Sequence, residues 1–205
     1  MSYMRSEARQ RQILSHAKKV FAERGYHAAN VSHICAAAGI GRGTLYQYFA
    51  NKQAVLTAIL RETLERVRAL MIRQSRSIIY PPPEQISRAA AIKVSARQLR
   101  RVLDVVFADA DTLRILLREA VGLDQQVETI LAEIDDALIA IVEHDLHLAL
   151  RAGYVRPLDA RAVATMIVGG VEKLGLAALR SAARPSFSTP PTIIVATACA
   201  SRSRM

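Results

Sequence analysis

Side chains that can contact DNA bases occur together in one short stretch, residues 39–52, with the sequence GIGRGTLYQYFANK. An arginine can donate two hydrogen bonds to the edge of a guanine, and a glutamine can pair with an adenine. Arg42 and Gln47 are therefore the candidate base contacts, with phosphate contact or simple solvation as the alternative for both. The stretch has the chemistry needed for sequence-specific contact with nucleic acid.

The same stretch carries groups suited to the sugar-phosphate backbone. Hydroxyls and an ammonium can hydrogen-bond to phosphate oxygens without reading the base sequence. For Tyr46 the alternative is packing against the first helix. The candidate phosphate contacts are Thr44, Tyr46, Tyr48 and Lys52. The adjoining Gly43 is also counted among the predicted DNA-binding residues.

Two more candidate DNA contacts precede this stretch. Asn30 and Ser32 stand at the start of a short predicted helix, where unpaired backbone N–H groups can point at a phosphate. Asparagine is also a favoured N-cap, so capping alone is an alternative explanation for Asn30.

Three predicted helices position these groups. Apolar residues at helical spacing indicate a first helix over 7–24, ended by Gly25, and a short second helix over 31–38, ended by Gly39. The stretch 40–49 turns at Gly41 and Gly43 and then presents Leu45 and Phe49 four residues apart, as buried anchors. Two short helices joined by a turn that contains glycine are typical of a helix-turn-helix.

Helical periodicity continues through the rest of the chain. A long pattern runs from Asn51 to about Ile79 and stops at the prolines 81–83, and further patterns cover 84–108, 112–121 and 123–151. Asp159 caps another helix, whereas a last helix near Pro191 is weakly signalled and stays open. Because no strand alternation competes, we expect an all-α fold of about nine helices.

Charge and composition favour a soluble DNA-binding protein. Hydrophobic residues make up 51% of the 205 residues, enough for a globular core. The net charge of +10 comes from residues 1–118, which indicates a polyanion partner, unless it reflects arginine-rich genome bias. We expect a cytoplasmic protein without a membrane partner, since no apolar run or leader suits membrane insertion. Cys35 and Cys199 are expected to be reduced.

Residues 39–52, together with the upstream segment 21–38, resemble the TetR family of transcriptional regulators. The resemblance rests on Gly39 in the turn, the sequence Gly43–Tyr46, the aromatic pair Tyr48 and Phe49, and Lys52 opening the next helix. It covers about 50 residues. It implies an N-terminal three-helix DNA-binding domain over 1–51, and an effector-binding and dimerisation bundle over 52–205.

The resemblance also implies a function. We expect a ligand-responsive repressor that binds a palindromic operator as a homodimer and is released by a small hydrophobic effector. The alternative is an activator or architectural DNA-binding protein without an effector. Gly41 and His33 depart from the family pattern, because a serine or threonine and an acidic residue are usual there. These departures affect operator preference more than DNA binding.

Candidate residues of the second domain follow from the resemblance and from helical spacing. Glycines on the helix after Asp159 allow two helices to pair closely across a dimer. For the residues of the candidate pocket, the alternative is ordinary core packing. The candidate effector pocket comprises Phe107, Leu116, Ile134, Leu138, Ile141 and Val168. The candidate dimer interface comprises Ile167, Gly170, Val171 and Leu174.

Catalytic and metal chemistry are not expected. No nucleophile triad, nucleotide-binding loop or zinc-protease motif occurs in the chain, so we predict neither an enzyme nor a cofactor. Glu143, His144 and His147 lie close enough along one helix to be weighed as a metal site. A solvated charged face is the favoured interpretation of these residues.

Overall fold

A computed structural model describes residues 2–75 and 109–181, together with four separate residues, 90, 93, 97 and 100. Within these described residues the regular elements are seven α-helices and one π-helical turn, which confirms the all-α class. The predicted helix over 84–108 falls mainly, and the one near Pro191 entirely, outside the described residues. The α-helices are α1 (Ser2–Arg24), α2 (Val31–Ala38), α3 (Arg42–Tyr46), α4 (Lys52–Ser75), α5 (Ala110–Arg114), α6 (Gln125–Arg151) and α7 (Ala160–Ser181).

The boundaries of α2 follow from its flanking residues. Asn30 has an extended backbone and caps the helix through its side chain, as expected. Gly39 adopts a left-handed conformation with a φ of 64°, and its N–H bonds back to the last turn. The chain can therefore leave α2 and turn into α3 within three residues.

Side chains of asparagine and aspartate also start the later helices. The N–H of Ala54 donates to Asn51 Oδ1, that of Val127 to Asp124 Oδ1, and that of Ala162 to Asp159 Oδ1. Each bond satisfies one of the free N–H groups in a first helical turn. The cap predicted at Asp159 is confirmed.

The chain divides into two compact units. The first unit comprises residues 1–66 and 109–134, and the second comprises 67–108 and 135–205. The first unit has fully buried side chains from α1 to α4 and from the π-helical turn Ile115–Glu119, including Phe21, Ile34, Leu45, Ile59 and Ile115. The division at 51/52 into functional domains stays a prediction.

The second unit has two small apolar clusters among its described residues. In one, Val67, Leu70 and Ile141 are buried, and Ala137 and Leu138 pack against them. In the other, Ile167 is buried against Val142, Val163 and Val171.

Helix α7 is long, apolar and largely exposed among the described residues. Residues 160–180 are long and apolar enough to cross a membrane by length and composition, unlike the sequence expectation, and only 22% of the apolar window is buried. The core helix of a soluble protein meets the same criterion, although such a helix is usually mostly buried.

Candidate nucleic-acid interface

Helix α3 is anchored by one face and exposed on the other. Leu45 is fully buried and Phe49 is 5% exposed, so both predicted anchors are in the core. Arg42 and Gln47 are exposed, and half of the Tyr46 surface is open to solvent. Gly43 is exposed as well, whereas Thr44 and Tyr48 are half-buried. Most of the predicted DNA contacts on α3 thus share an accessible face.

The turn between α2 and α3 brings two predicted site residues together. The Arg42 guanidinium donates a hydrogen bond through Nη2 to Ser32 Oγ, linking the first turns of the two helices. Gly41, the N-cap of α3, has an extended backbone and provides no side-chain cap bond. Gly41 thus leaves the start of α3 without a side-chain cap, and the bond from Arg42 to Ser32 links this start to α2.

Asn30 and His33 cap α2 reciprocally. The N–H of His33 donates to Asn30 Oδ1 over 3.0 Å, and the N–H of Asn30 donates to His33 Nδ1 over 3.3 Å. An acidic residue usually supplies the second bond of such a capping box. In this bond the ring nitrogen Nδ1 is the acceptor. His33, a departure from the family pattern, thus takes over the function of the usual acid.

The Lys52 ammonium is engaged inside the protein. Its Nζ donates to the carbonyl oxygens of Tyr26 over 2.7 Å and Ala29 over 2.9 Å, with that of His27 at 3.5 Å. It also lies 4.2 Å from the centre of the Tyr26 ring, within reach of a cation–π interaction. Lys52 therefore ties α4 to the loop between α1 and α2. Its predicted phosphate contact stays a prediction.

A ladder of polar contacts along α1 was not predicted. Lys18 Nζ lies 3.0 Å from Asp109 Oδ2, and Arg114 Nη1 donates to the carbonyl of Ala22 over 3.0 Å. These contacts step along α1 by about one turn. The next step is a hydrogen bond of 2.9 Å from the N–H of Tyr26 to Glu119 Oε2. The segment 109–119 thus holds the C-terminal half of α1 and the loop that follows it.

The Asp109 carboxylate, which pairs with Lys18, is stabilised in its charged form. Burial alone would raise the pKa of Asp109, but hydrogen bonds from Thr112 and Lys18 outweigh it and lower the pKa to about 2. At neutral pH the carboxylate is charged and paired. Long sequence separation hides such a contact, because nothing local to Lys18 indicates Asp109.

The candidate effector residues fall in different parts of the molecule. Leu116 and Ile134 belong to the first unit, and Leu138, Ile141 and Val168 belong to the second. Phe107 lies outside the described residues. Ile134, Ile141 and Val168 are buried, and Leu116 and Leu138 are half-buried. The pocket itself stays a prediction.

Of the four candidate dimer residues on α7, two are accessible. Gly170 and Leu174 are exposed, and a Cβ built on Gly170 meets nothing within 4 Å. Ile167 is buried within its own unit, where Val171 packs against it. Sequence reasoning missed Met166, which is 76% exposed on the same helix.

Charged residues around His147 pair with each other. Glu143 lies 3.7 Å from His147 Nε2 and 3.3 Å from Arg161 Nη1, and Arg161 also bonds to Asp136 over 2.8 Å. Across the described parts of the chain, no group of three histidine, cysteine or acidic residues is arranged to hold a metal ion.

Comparison with known proteins agrees with this geometry. Residues 13–59 match the model of the tetR family of bacterial regulatory proteins. An HTH-type transcriptional repressor of Mycobacterium tuberculosis is 36% identical over 98 residues, which are 45% of this chain and 52% of that protein. The chain thus spans about half the length of this relative, and less of some others.

Solved structures resemble most of the chain in fold. The regulator FadR of Bacillus subtilis, solved in complex with stearoyl-CoA, has a TM-score of 0.69 at 20% identity, covering 92% of this chain and 97% of that one. AibR, solved with isovaleryl coenzyme A and operator DNA, has a TM-score of 0.64 at 21% identity and covers 82% of this chain and 86% of its own.

These relatives are named regulators rather than enzymes, in line with the sequence interpretation. The matched segment 13–59 contains α2, α3 and the side chains that face outward from them. The helix-turn-helix geometry and the matches together show that residues 13–59 form a DNA-binding domain of the tetR family of bacterial regulatory proteins.

Proposed function

We propose that the protein is a ligand-responsive repressor that binds a palindromic operator as a homodimer and is released by a small hydrophobic effector. The exposed face of α3, held by the buried anchors Leu45 and Phe49, carries this proposal. In it, residues 1–51 contact DNA, and residues 52–205 bind the effector and dimerise. We expect the protein to act in the cytoplasm.

A fluorescence anisotropy titration tests DNA binding. Wild-type protein should bind DNA from upstream of its own gene and should bind more weakly as salt rises, because phosphate contacts release counterions. Arg42→Ala should reduce the preference for that DNA over random duplex. Absence of binding at low salt would contradict the proposal.

The exposed face of α7 supports the homodimer. Met166, Gly169, Gly170 and Leu174 are exposed, and neither glycine has a heavy atom within 4 Å of a built Cβ. Small residues let two helices approach closely, and a two-fold dimer matches a palindromic operator.

The substitution Gly170→Leu tests this face. The single chain has open space at this site, and leucine favours helix more than glycine does, so folding should be preserved. In analytical ultracentrifugation the variant dimer should dissociate at a higher protein concentration than the wild-type dimer. An unchanged dimer with normal thermal unfolding would place the interface elsewhere.

A fatty-acyl thioester is the effector class that we favour. The FadR and AibR structures contain acyl-CoA compounds. In this chain Lys93, Arg97 and Arg100 are helical and exposed at a spacing that places them on one face. Such a face suits the phosphate groups of coenzyme A. A free fatty acid has a single carboxylate and no phosphate.

Release of bound DNA tests the effector class. Stearoyl-CoA should release the DNA at lower concentration than stearate or coenzyme A alone. The triple substitution of Lys93, Arg97 and Arg100 by alanine should weaken the response to stearoyl-CoA and leave DNA binding intact. Equal responses to stearate and stearoyl-CoA would contradict a contact with the phosphates.

The contact between Tyr26 and Glu119 is a route by which effector binding can alter DNA binding. Glu119 ends the segment that contacts α1, and α6 begins six residues later. Glu119→Ala should therefore bind DNA but respond less to the effector. Glu119→Gln keeps an acceptor for the Tyr26 N–H and is the matched control. Equal responses of both variants would exclude this contact from the response.

A further inference from the structure

We propose that Ser32 is a specificity-determining residue, because its hydroxyl holds the Arg42 guanidinium in the orientation that reads a base while the same hydroxyl donates to a DNA phosphate. This inference rests on the proposed DNA-binding function. It assigns to Ser32 a positioning role that is distinct from phosphate contact alone.

The first argument is geometric. Ser32 is the second residue of α2 and Arg42 is the first residue of α3, and the Nη2 of Arg42 donates directly to Ser32 Oγ. Arg42 is exposed, whereas Ser32 is half-buried and sits on a capped helix turn. The contact therefore joins the long arginine side chain to a short serine side chain on a capped helix.

The second argument concerns the neighbours of Arg42. Gly41 and Gly43 flank it, and a Cβ built at either position meets nothing within 4 Å. Neither neighbour has a side chain that could restrict the arginine. Arginine has many rotamers, and ordering them on binding costs entropy. Ser32 can reduce that cost by holding the guanidinium before DNA arrives.

The third argument is the chemistry of a hydroxyl. A serine hydroxyl has one donor and two acceptor positions, and a guanidinium has only donors. When Oγ accepts from Arg42, its own O–H remains available as a donor. A phosphate oxygen only accepts, so one hydroxyl can bond to Arg42 and to phosphate at once. Base reading by Arg42 is then linked to correct placement on the backbone.

This arrangement predicts which substitutions matter. A bidentate arginine–guanine contact discriminates against a wrong base by roughly 5-fold to 150-fold. Ser32→Ala should remove about half of that discrimination on a logarithmic scale and weaken binding to random DNA less. Ser32→Thr retains the hydroxyl and should restore discrimination. Ser15→Ala, which changes an exposed serine of α1, should have no effect.

The experiment uses a duplex that wild-type protein selects from a randomised pool, and the set of its single base-pair variants. Anisotropy titrations with wild type and Arg42→Ala first identify the base pair that Arg42 reads. We then compare Ser32→Ala and Ser32→Thr at that base pair, and thermal unfolding shows that each variant is folded.

The inference is supported if Ser32→Ala reduces discrimination at the Arg42 base pair and Ser32→Thr restores it. It is overturned if Ser32→Ala discriminates as wild type does, or better, since Ser32 would then be neutral or would hold Arg42 away from DNA. An equal loss of affinity on every duplex would also overturn it, leaving a phosphate contact only. If wild type selects no sequence, the proposed function fails first.

Discussion

The pKa of one carboxyl group in the first compact unit is lowered, whereas the pKa values of two carboxyl groups in the second are raised. In the first unit, Asp109 is paired with Lys18 and Thr112, and its pKa falls to about 2. In the second unit, burial and the neighbouring Asp135 raise the pKa of Glu172 to about 7, and burial raises that of Asp145 to about 6. Asp145 Oδ1 is buried and has no hydrogen-bond partner among the described residues.

Burial of apolar side chains differs in the same way. Among the described residues, the ten largest fully buried side chains all belong to the first unit, for example Phe21 and Leu45. The second unit instead exposes Met166 and Leu174 on α7. The first unit therefore completes its own core, whereas the second unit retains surface and charge that a dimer partner or ligand can cover.

The largest expected difference is in core substitutions. Phe21→Ala should lower the free energy of unfolding by about 3–5 kcal/mol, because it leaves a cavity in a fully buried site. Leu174→Ala should change the stability of the single chain little, since half of Leu174 is exposed. Urea unfolding at low protein concentration measures both. Equal losses would break the distinction between a closed core and an open face.

A smaller effect is expected at Lys52. Replacing it by alanine leaves the carbonyls of Tyr26 and Ala29 without their charged donor, which should cost about 2 kcal/mol. Lys19→Ala is the matched control, because Lys19 is exposed on α1. Thermal unfolding distinguishes the two. If Lys52→Ala unfolds like Lys19→Ala but loses DNA affinity, phosphate contact is its main function.

The smallest expected effect is a pH dependence of stability. Glu172 and Asp145 bind protons more tightly in the folded state, so their contribution is largest at low pH and is lost as pH rises. For Glu172 this loss occurs between pH 4.5, the pKa of the unfolded state, and about pH 7, the pKa of the folded state. Glu172→Gln and Asp145→Asn should flatten the decline of the urea midpoint over this range. A decline of wild-type size in both variants would assign it to other groups.

Asp109 provides the opposite test. Its folded pKa lies below the ordinary aspartate value of 3.8, so its contribution to stability is present above that pH and is lost as pH falls toward about 2. Asp109→Asn should remove part of the acid sensitivity of wild type below pH 3.8. Far-ultraviolet circular dichroism during acid titration measures it, and unchanged acid unfolding would mean that the Lys18 pairing adds no stability.

Local sequence signals predicted the helix-turn-helix well. Asn30, Gly39, Leu45 and Phe49 act within a few residues of where they stand, so the bounds of α2 and the anchors of α3 could be predicted. Burial of Ile167 in its own unit could not, because the apolar stripe of a helix does not indicate which neighbour it packs against.

The functional contacts between distant residues were also beyond prediction. The phosphate contact predicted for Lys52 follows from its charge, which is visible in the sequence, and stays a prediction. The carbonyls that its ammonium contacts could not be predicted, because they belong to a loop about 25 residues earlier. The link between Ser32 and Arg42 depends on the angle between two helices. His33 appeared to be a departure because a neutral imidazole is a less common capping acceptor than a carboxylate.

Hydroxyl-radical footprinting of the protein on DNA from upstream of its own gene tests the central claim most directly. A dimer that presents two copies of α3 should protect two half-sites about one helical turn apart, roughly 34 Å between centres. Arg42→Ala should weaken protection of both half-sites together. Uniform protection along the duplex, or the same pattern on unrelated DNA, would contradict an operator-specific helix-turn-helix dimer.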